Sequence, residues 1–203
     1  MASSTRFSAN VLNVILALLL WLTVGAALGE NSGIRLQSAG ASYGSNRVEV
    51  SARFTVSLNP TLENALANGA SLPFVYEFQL TRPRGYAFYR QMADWFSPTA
   101  ELGYRLSYHA ISRQYRLHLG SFYRSFQTLD EALKALGVVR DWGVLVGTSI
   151  AEDKSDFAGK VRLRLDMSQM PKPFQLSTLG QDDWKFESAW VDISPSRNEA
   201  AHE

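Results

Sequence analysis

Within "YHAISRQYRL", Tyr108 to Leu117, one histidine, one serine, two arginines and two tyrosines fall close together. Three chemistries use such side chains. A histidine beside a hydroxyl is the heart of a nucleophilic hydrolase, provided that a carboxylate orients the ring. Spaced histidines hold metal ions. Arginines beside tyrosines grip anions and stack on flat ligands.

The surrounding residues limit each of these. Nucleophilic catalysis wants His109 next to Ser107 or Ser112 with an acid behind it, yet no acid lies between Glu101 and Asp130. An orienting carboxylate must then arrive from a distant segment, and a lone hydroxyl near a histidine is more often a chance neighbour than a triad. Ahead of the C-terminal tail, His109 and His118 are the only histidines, and their spacing fits no usual ligand pattern. The chain has no phosphate-binding glycine loop, paired-histidine metalloprotease spacing or serine elbow. No catalytic residue, metal or cofactor is expected, and the chain reads as a non-enzyme.

The stronger signal is charge. The window from Leu102 to Leu129 holds four arginines and two histidines and no acid. It suits an anionic partner: an acidic protein face, a lipid head group or an envelope polysaccharide. The competing expectation is a solvated strand face whose arginines pair with acids on neighbouring strands.

Strands position this window. Leu102, Tyr104, Leu106, Tyr108 and Ala110 share one parity, with Arg105, Ser107 and His109 opposite; Tyr115, Leu117 and Leu119 share the other parity, with Arg116 and His118 opposite. Both apolar sets reach one core in a hairpin only if paired residue numbers sum to an odd value, as with Ala110 opposite Tyr115 and Tyr108 opposite Leu117. The loop then has an even length, and "ISRQ" is expected as a four-residue turn. Arg105, His109, Arg116 and His118 fall together on the outer face as the candidate binding residues.

Period-two alternation continues in "VEVSARFTVSL", with Val48 to Leu58 at even positions inside, in Phe74, Tyr76, Phe78 and Leu80, and in "VRLRLDM" with Val161, Leu163, Leu165 and Met167 inside. "DWKFESAWVDI" is read as a closing strand with Trp184, Phe186, Ser188 and Trp190 on one side, as core aromatics. Tyr86 to Pro98 are read as a turn or short helical piece, and Pro171 and Pro173 as an extended crossover. Two short helices are expected near 60–68 and 128–136. The first has Asn59 as cap, Pro60 at its first position and Gly69 as stop; the second has a Thr128/Glu131 capping box and ends at Gly137. About eight strands with two short helices predict a mainly β fold, an antiparallel sheet or sandwich.

The first 29 residues differ in kind. One positive charge, Arg6, precedes the apolar run "VLNVILALLLWL" and the small residues of "TVGAALG". This is the layout of an export signal, with cleavage expected after Ala26 or Gly29. The alternative is an uncleaved inner-membrane anchor with the domain facing the periplasm. Residues 33–193 then form a single β-rich domain and 194–203 a polar, disordered tail. The chain has no cysteine, so neither disulfides nor thiol chemistry is open to it. Without residues 1–29, which carry Arg6 and no acid, 19 basic face 19 acidic residues. A neutral exported chain is a poor partner for nucleic acid.

"LENALANGASLPFVYEFQL", "RLSYHAISRQYRLHLGSF", "TLDEALKALGVVRDW", "VRLRLDMSQMPKPFQ" and "DWKFESAW" together resemble domain-of-unknown-function family 4390 (DUF4390), exported proteobacterial proteins. The resemblance runs from about Gly33 to Asp192. The chain departs from it after Arg82-Pro83-Arg84, where it reads "GYAFYRQ" in place of a tryptophan-rich stretch. The family supplies no catalytic residues. Its genes neighbour sensor kinases of the nitrogen-regulation type, which implies a periplasmic accessory partner for a membrane kinase. The alternatives are a hydrolase acting on the envelope and a membrane-tethered structural protein.

Overall fold

The computed structural model describes residues 32–83, 99–154, 156–170 and 182–195. The expected export signal, the stretch 86–98, the expected crossover at Pro171 and Pro173 and most of the polar tail lie outside the described residues. Among those described, no helix is long and apolar enough to cross a membrane.

Among the described residues, nine strands form two antiparallel sheets. β1 (Gly33–Tyr43), β2 (Val48–Ser57) and β7 (Val138–Val144) make a three-stranded sheet in the order β1-β2-β7. β3 (Leu72–Pro83), β4 (Thr99–His109), β5 (Gln114–Leu119), β6 (Phe122–Phe126), β8 (Phe157–Leu165) and β9 (Val191–Ile193) make the larger one, β6-β5-β4-β3-β8-β9. The expected mainly β architecture is observed. The two sheets face each other across the core. Phe54 from the small sheet meets Tyr76 from the large one with ring centroids 5.9 Å apart, and Val50 and Val144 share a second cluster with Phe78, Phe157 and Val161.

Three helices among the described residues join the sheets: α1 (Pro60–Ala67), α2 (Leu129–Leu136) and the single turn α3 (Ser149–Glu152). In α1, Asn59 Oδ1 accepts from Leu62 N at 2.8 Å, satisfying one free N–H of the first turn, while Leu62 and Leu66 point into the core. In α2, Thr128 Oγ1 accepts from Glu131 N and Glu131 Oε2 accepts from Thr128 N, the reciprocal capping box. Ala132, Leu133 and Leu136 are its buried face.

β3 shifts register near its end, between Leu80 and Arg82, and three further segments depart from simple alternation because bulges switch their parity. In β1, Ile34 faces in ahead of an irregularity at Leu36/Ser38, and Ala39 and Ala41 face in beyond it. In β7, Val139 pairs with Ala52 but Trp142 with Val50, so Arg140 and Asp141 together oppose Ser51; Asp141 adopts φ 50° and its N–H donates to Ser51 Oγ. The expected closing strand is broken in the same way. A 3-10 turn spans Asp182–Trp184, Glu187 bridges to Arg164, and β9 begins only at Val191, paired with Val161. Those pairings differ by one residue in register. Trp184, Phe186 and Ser188 are accordingly buried, whereas Trp190 turns outward and is 38% exposed. Met167 likewise leaves the strand for a 3-10 turn, Met167–Gln169.

Candidate functional site

The β4–β5 hairpin carries the candidate residues. Tyr108 pairs with Tyr115 and Leu106 with Leu117, so paired numbers sum to an odd value, and both apolar sets enter one core. The register is shifted by two residues from that expected, Tyr115 facing Tyr108 in place of Ala110. His109 pairs with Gln114, and the four-residue loop is Ala110–Arg113, not "ISRQ". The cause is local. Ser112 N donates to His109 Nδ1 at 3.3 Å and Ser112 Oγ lies 3.0 Å from the same nitrogen, which draws the turn back onto His109. Arg113 then closes the loop in the left-handed region, φ 50°.

That contact gives the histidine and serine a local structural role. A backbone N–H can only donate, so Nδ1 is an acceptor and the neutral ring carries its proton on Nε2. The histidine caps a turn. Among the described residues no carboxylate hydrogen-bonds or ion-pairs with His109 or His118, and no cluster of three or more potential metal ligands exists.

Arg105 lies directly opposite His118, Ser107 opposite Arg116, and on the far side His118 opposite Tyr123 and Arg116 opposite Ser125. Arg105, His109, Arg116 and His118 therefore share one outer face. Tyr123 is the residue that sequence reasoning missed. Its ring lies 5.4 Å from that of His118, and the Arg116 guanidinium stands over it at 5.3 Å. Arg116 Nε is buried without a hydrogen-bond partner. No described acid pairs with Arg105, Arg116 or Arg124.

Two strands away the same sheet face is neutralised. Glu77 is buried on β3, directly opposite Arg162 on β8. Arg162 Nε donates to Glu77 Oε2 at 2.5 Å and its Nη1 to Glu187 Oε2 at 3.0 Å. Arg164 Nε donates to Glu77 Oε1 at 2.6 Å and its Nη1 to Asp166 Oδ1 at 3.2 Å. Burial pushes the Asp166 carboxyl up, but hydrogen bonds from Ser168, Gln169 and Arg164 outweigh it and hold the group below the ordinary carboxylate range. The outward-turned Trp190 lies under Arg162, 4.4 Å from its guanidinium. This network is self-contained. It has every mark of a structural girdle, and it sets the standard against which the β4–β6 arginines stand out.

A concavity lies on the small sheet, where β1 and β7 bulge. Ser38, Ser51, Arg53, Arg140 and Asp141 line this trough of about 400 Å³. Ser51 is already engaged by Asp141, and no buried polar atom there awaits a partner.

No curated protein and no solved structure matches the chain. The model of one family, Domain of unknown function (DUF4390), matches residues 31–194, a span that takes in all nine strands. The chain belongs to the DUF4390 family.

Proposed function

We propose that the chain is an exported, non-enzymatic binding domain that docks an acidic protein in the periplasm through the outer face of β4, β5 and β6. One observation carries this reading: a single sheet face pairs Arg162 and Arg164 with three carboxylates and gives Arg105 and Arg116 none among the described residues. A guanidinium held over Tyr123 with its Nε buried and unbonded has been desolvated in part without an anion to compensate. An acidic surface supplies that anion. Export rests on the N-terminal segment, and the family resemblance directs the search for the partner to membrane sensor-kinase systems.

A photo-crosslinking residue at Ser125, on this face, tests the proposal against one at Arg53, on the other sheet, in intact cells. The expected result is a discrete adduct from position 125 alone, weakened by salt and lost in Arg105→Gln/Arg116→Gln. Equal labelling from both positions, or an adduct indifferent to the arginines, overturns it.

A further inference from the structure

We infer that the acidic partner binds as an added strand, an extended segment with alternating carboxylates laid antiparallel along the free edge of β6. The inference rests on the docking reading above and names the partner's conformation and pattern.

Among the described residues β6 is the last strand of its sheet, and all five of its residues except Phe126 are exposed. Its connection to β5 is the two-residue turn Gly120-Ser121, with Gly120 at φ 57°. In such a hairpin the pair flanking the turn, Leu119 with Phe122, is hydrogen-bonded, and bonded and non-bonded pairs then alternate. Phe122, Arg124 and Phe126 thus spend their backbone groups on β5. Tyr123 and Ser125 direct their N–H and C=O groups outward, and among the described residues no strand receives them.

The side chains specify what lies there. In an antiparallel pair, residues that exchange both hydrogen bonds project to the same side of the sheet. A strand bonded to Tyr123 and Ser125 therefore sets every second side chain on the outer face, beside the guanidinium that Arg116 extends over Tyr123. Carboxylates fit there. The intervening side chains fall on the opposite face, beside Phe122, 82% exposed, and Arg124, whose guanidinium is already drawn over the Phe126 ring at 5.3 Å. Apolar residues fit there.

β6 carries neither proline nor lysine, two of the residues that commonly shield an edge. Its central Arg124 selects among occupants. Were two copies to pair β6 with β6, Tyr123 would bond Ser125 of the other copy and the two Arg124 side chains would stand directly opposite, a like-charge pair. A lipid surface accepts arginines and exposed aromatics, but it leaves the outward N–H groups of Tyr123 and Ser125 without acceptors.

The probe is a nine-residue peptide of five glutamates alternating with four valines, titrated onto the full-length chain by fluorescence anisotropy. N-methylation of its glutamates, whose N–H groups face β6, should weaken binding about tenfold or more, and N-methylation of its valines should change it less than about twofold. Ser125→Pro removes one outward N–H while leaving the β5 ladder intact, since a proline is tolerated on a strand edge that faces solvent; it should weaken binding similarly. Hydrogen exchange across 122–126 should slow when the peptide is bound.

If both methylated peptides bind alike while Arg116→Gln still weakens binding, docking on the acidic-partner face stands and strand addition falls. If neither the peptide nor polyglutamate binds, both readings fall. A dimer abolished by Ser125→Pro, or adsorption to phosphatidylglycerol vesicles indifferent to Ser125→Pro, assigns the edge to another occupant and overturns the inference.

Discussion

Phe54 on β2 and Gly137 at the end of α2 meet backbone to backbone: Phe54 N donates to Gly137 O at 2.7 Å, and a Cβ at Gly137 would collide with the Phe54 carbonyl oxygen. Gly137 has φ −72°, which any residue adopts, so glycine is demanded here by proximity and not by backbone conformation. Gly137→Ala forces α2 and β2 apart. It should cost about 1–3 kcal/mol, the range of an overpacked core, read as a lower urea midpoint with an unchanged slope.

The phenol of Tyr76 offers a second test of the same junction. Its hydroxyl donates to Leu136 O at 2.8 Å in the core, and burial, with Tyr104 close by, pushes the group far above its ordinary pKa, so it stays a neutral donor. Tyr76→Phe preserves the ring contacts with Phe54 and Tyr104 but strands a buried helix-end carbonyl. The expected loss is about 1–3 kcal/mol in chemical denaturation, with native circular dichroism.

Why some of this was legible and some not follows from the physics of alternation. β2, β3 and β8 keep one parity along the stretches that face the core, so their core-facing residues could be read directly, although Val75 and Glu77 on the other face of β3 are buried as well, and the odd-sum rule placed Arg105, His109, Arg116 and His118 on one face. β1, β7 and the segment ending in β9 each switch parity at a bulge, which erases the period and misdirected Trp190. The turn at Ala110–Arg113 slipped because a side chain, His109, captured Ser112. The decisive contrast within the site lay beyond any local pattern. "VRLRL" and "YRLHL" look alike as strings; what separates Arg162 from Arg116 is that Arg162 is paired with Glu77, whereas no residue paired with β5 is an acid.

Arg113 sits at φ 50°, a conformation that costs a side-chain-bearing residue about 1–2 kcal/mol relative to the right-handed region. Arg113→Gly should relieve part of that strain, offset by glycine's greater freedom when unfolded, for a net gain of about 0.5 kcal/mol in urea denaturation. The acidic probe should bind the variant as before, because Arg113 belongs to the loop and not to the outer face of β4–β6.

Asp166 makes stability depend on acid. Its folded pKa is depressed below the ordinary value of 3.8 by the hydrogen bonds of Ser168, Gln169 and Arg164, against the opposing effect of burial. A depressed carboxyl contributes stability that is fully present above its unfolded pKa and is lost as pH falls through the folded value. Asp166→Asn should therefore lie below the native chain in stability at neutral pH by an amount that stays constant down to the ordinary carboxylate range. Below it the two curves should converge. Thermal unfolding followed from pH 7 to pH 2 (roughly the span over which a carboxyl titrates) checks this, and parallel curves throughout would remove Asp166 as the source.

The two kinds of arginine on the large sheet should part company under mutation. Glu77→Gln leaves Arg162 and Arg164, with side chains 22% and 25% exposed, short of the carboxylate they share. The cost should be about 2 kcal/mol, below the full penalty for a deeply buried charge because both guanidinia keep some water and their second acids, Glu187 and Asp166. Arg116→Gln breaks no ion pair among the described residues and removes a buried N–H that has no partner, so stability should stay within about 0.5 kcal/mol. Binding of the acidic probe should follow the reverse order, weakened by Arg116→Gln and indifferent to Glu77→Gln at temperatures where both variants are folded. Side-by-side urea denaturation and anisotropy titrations separate the outcomes. A variant at Arg116 that unfolds the domain and spares binding would make that arginine a part of the scaffold.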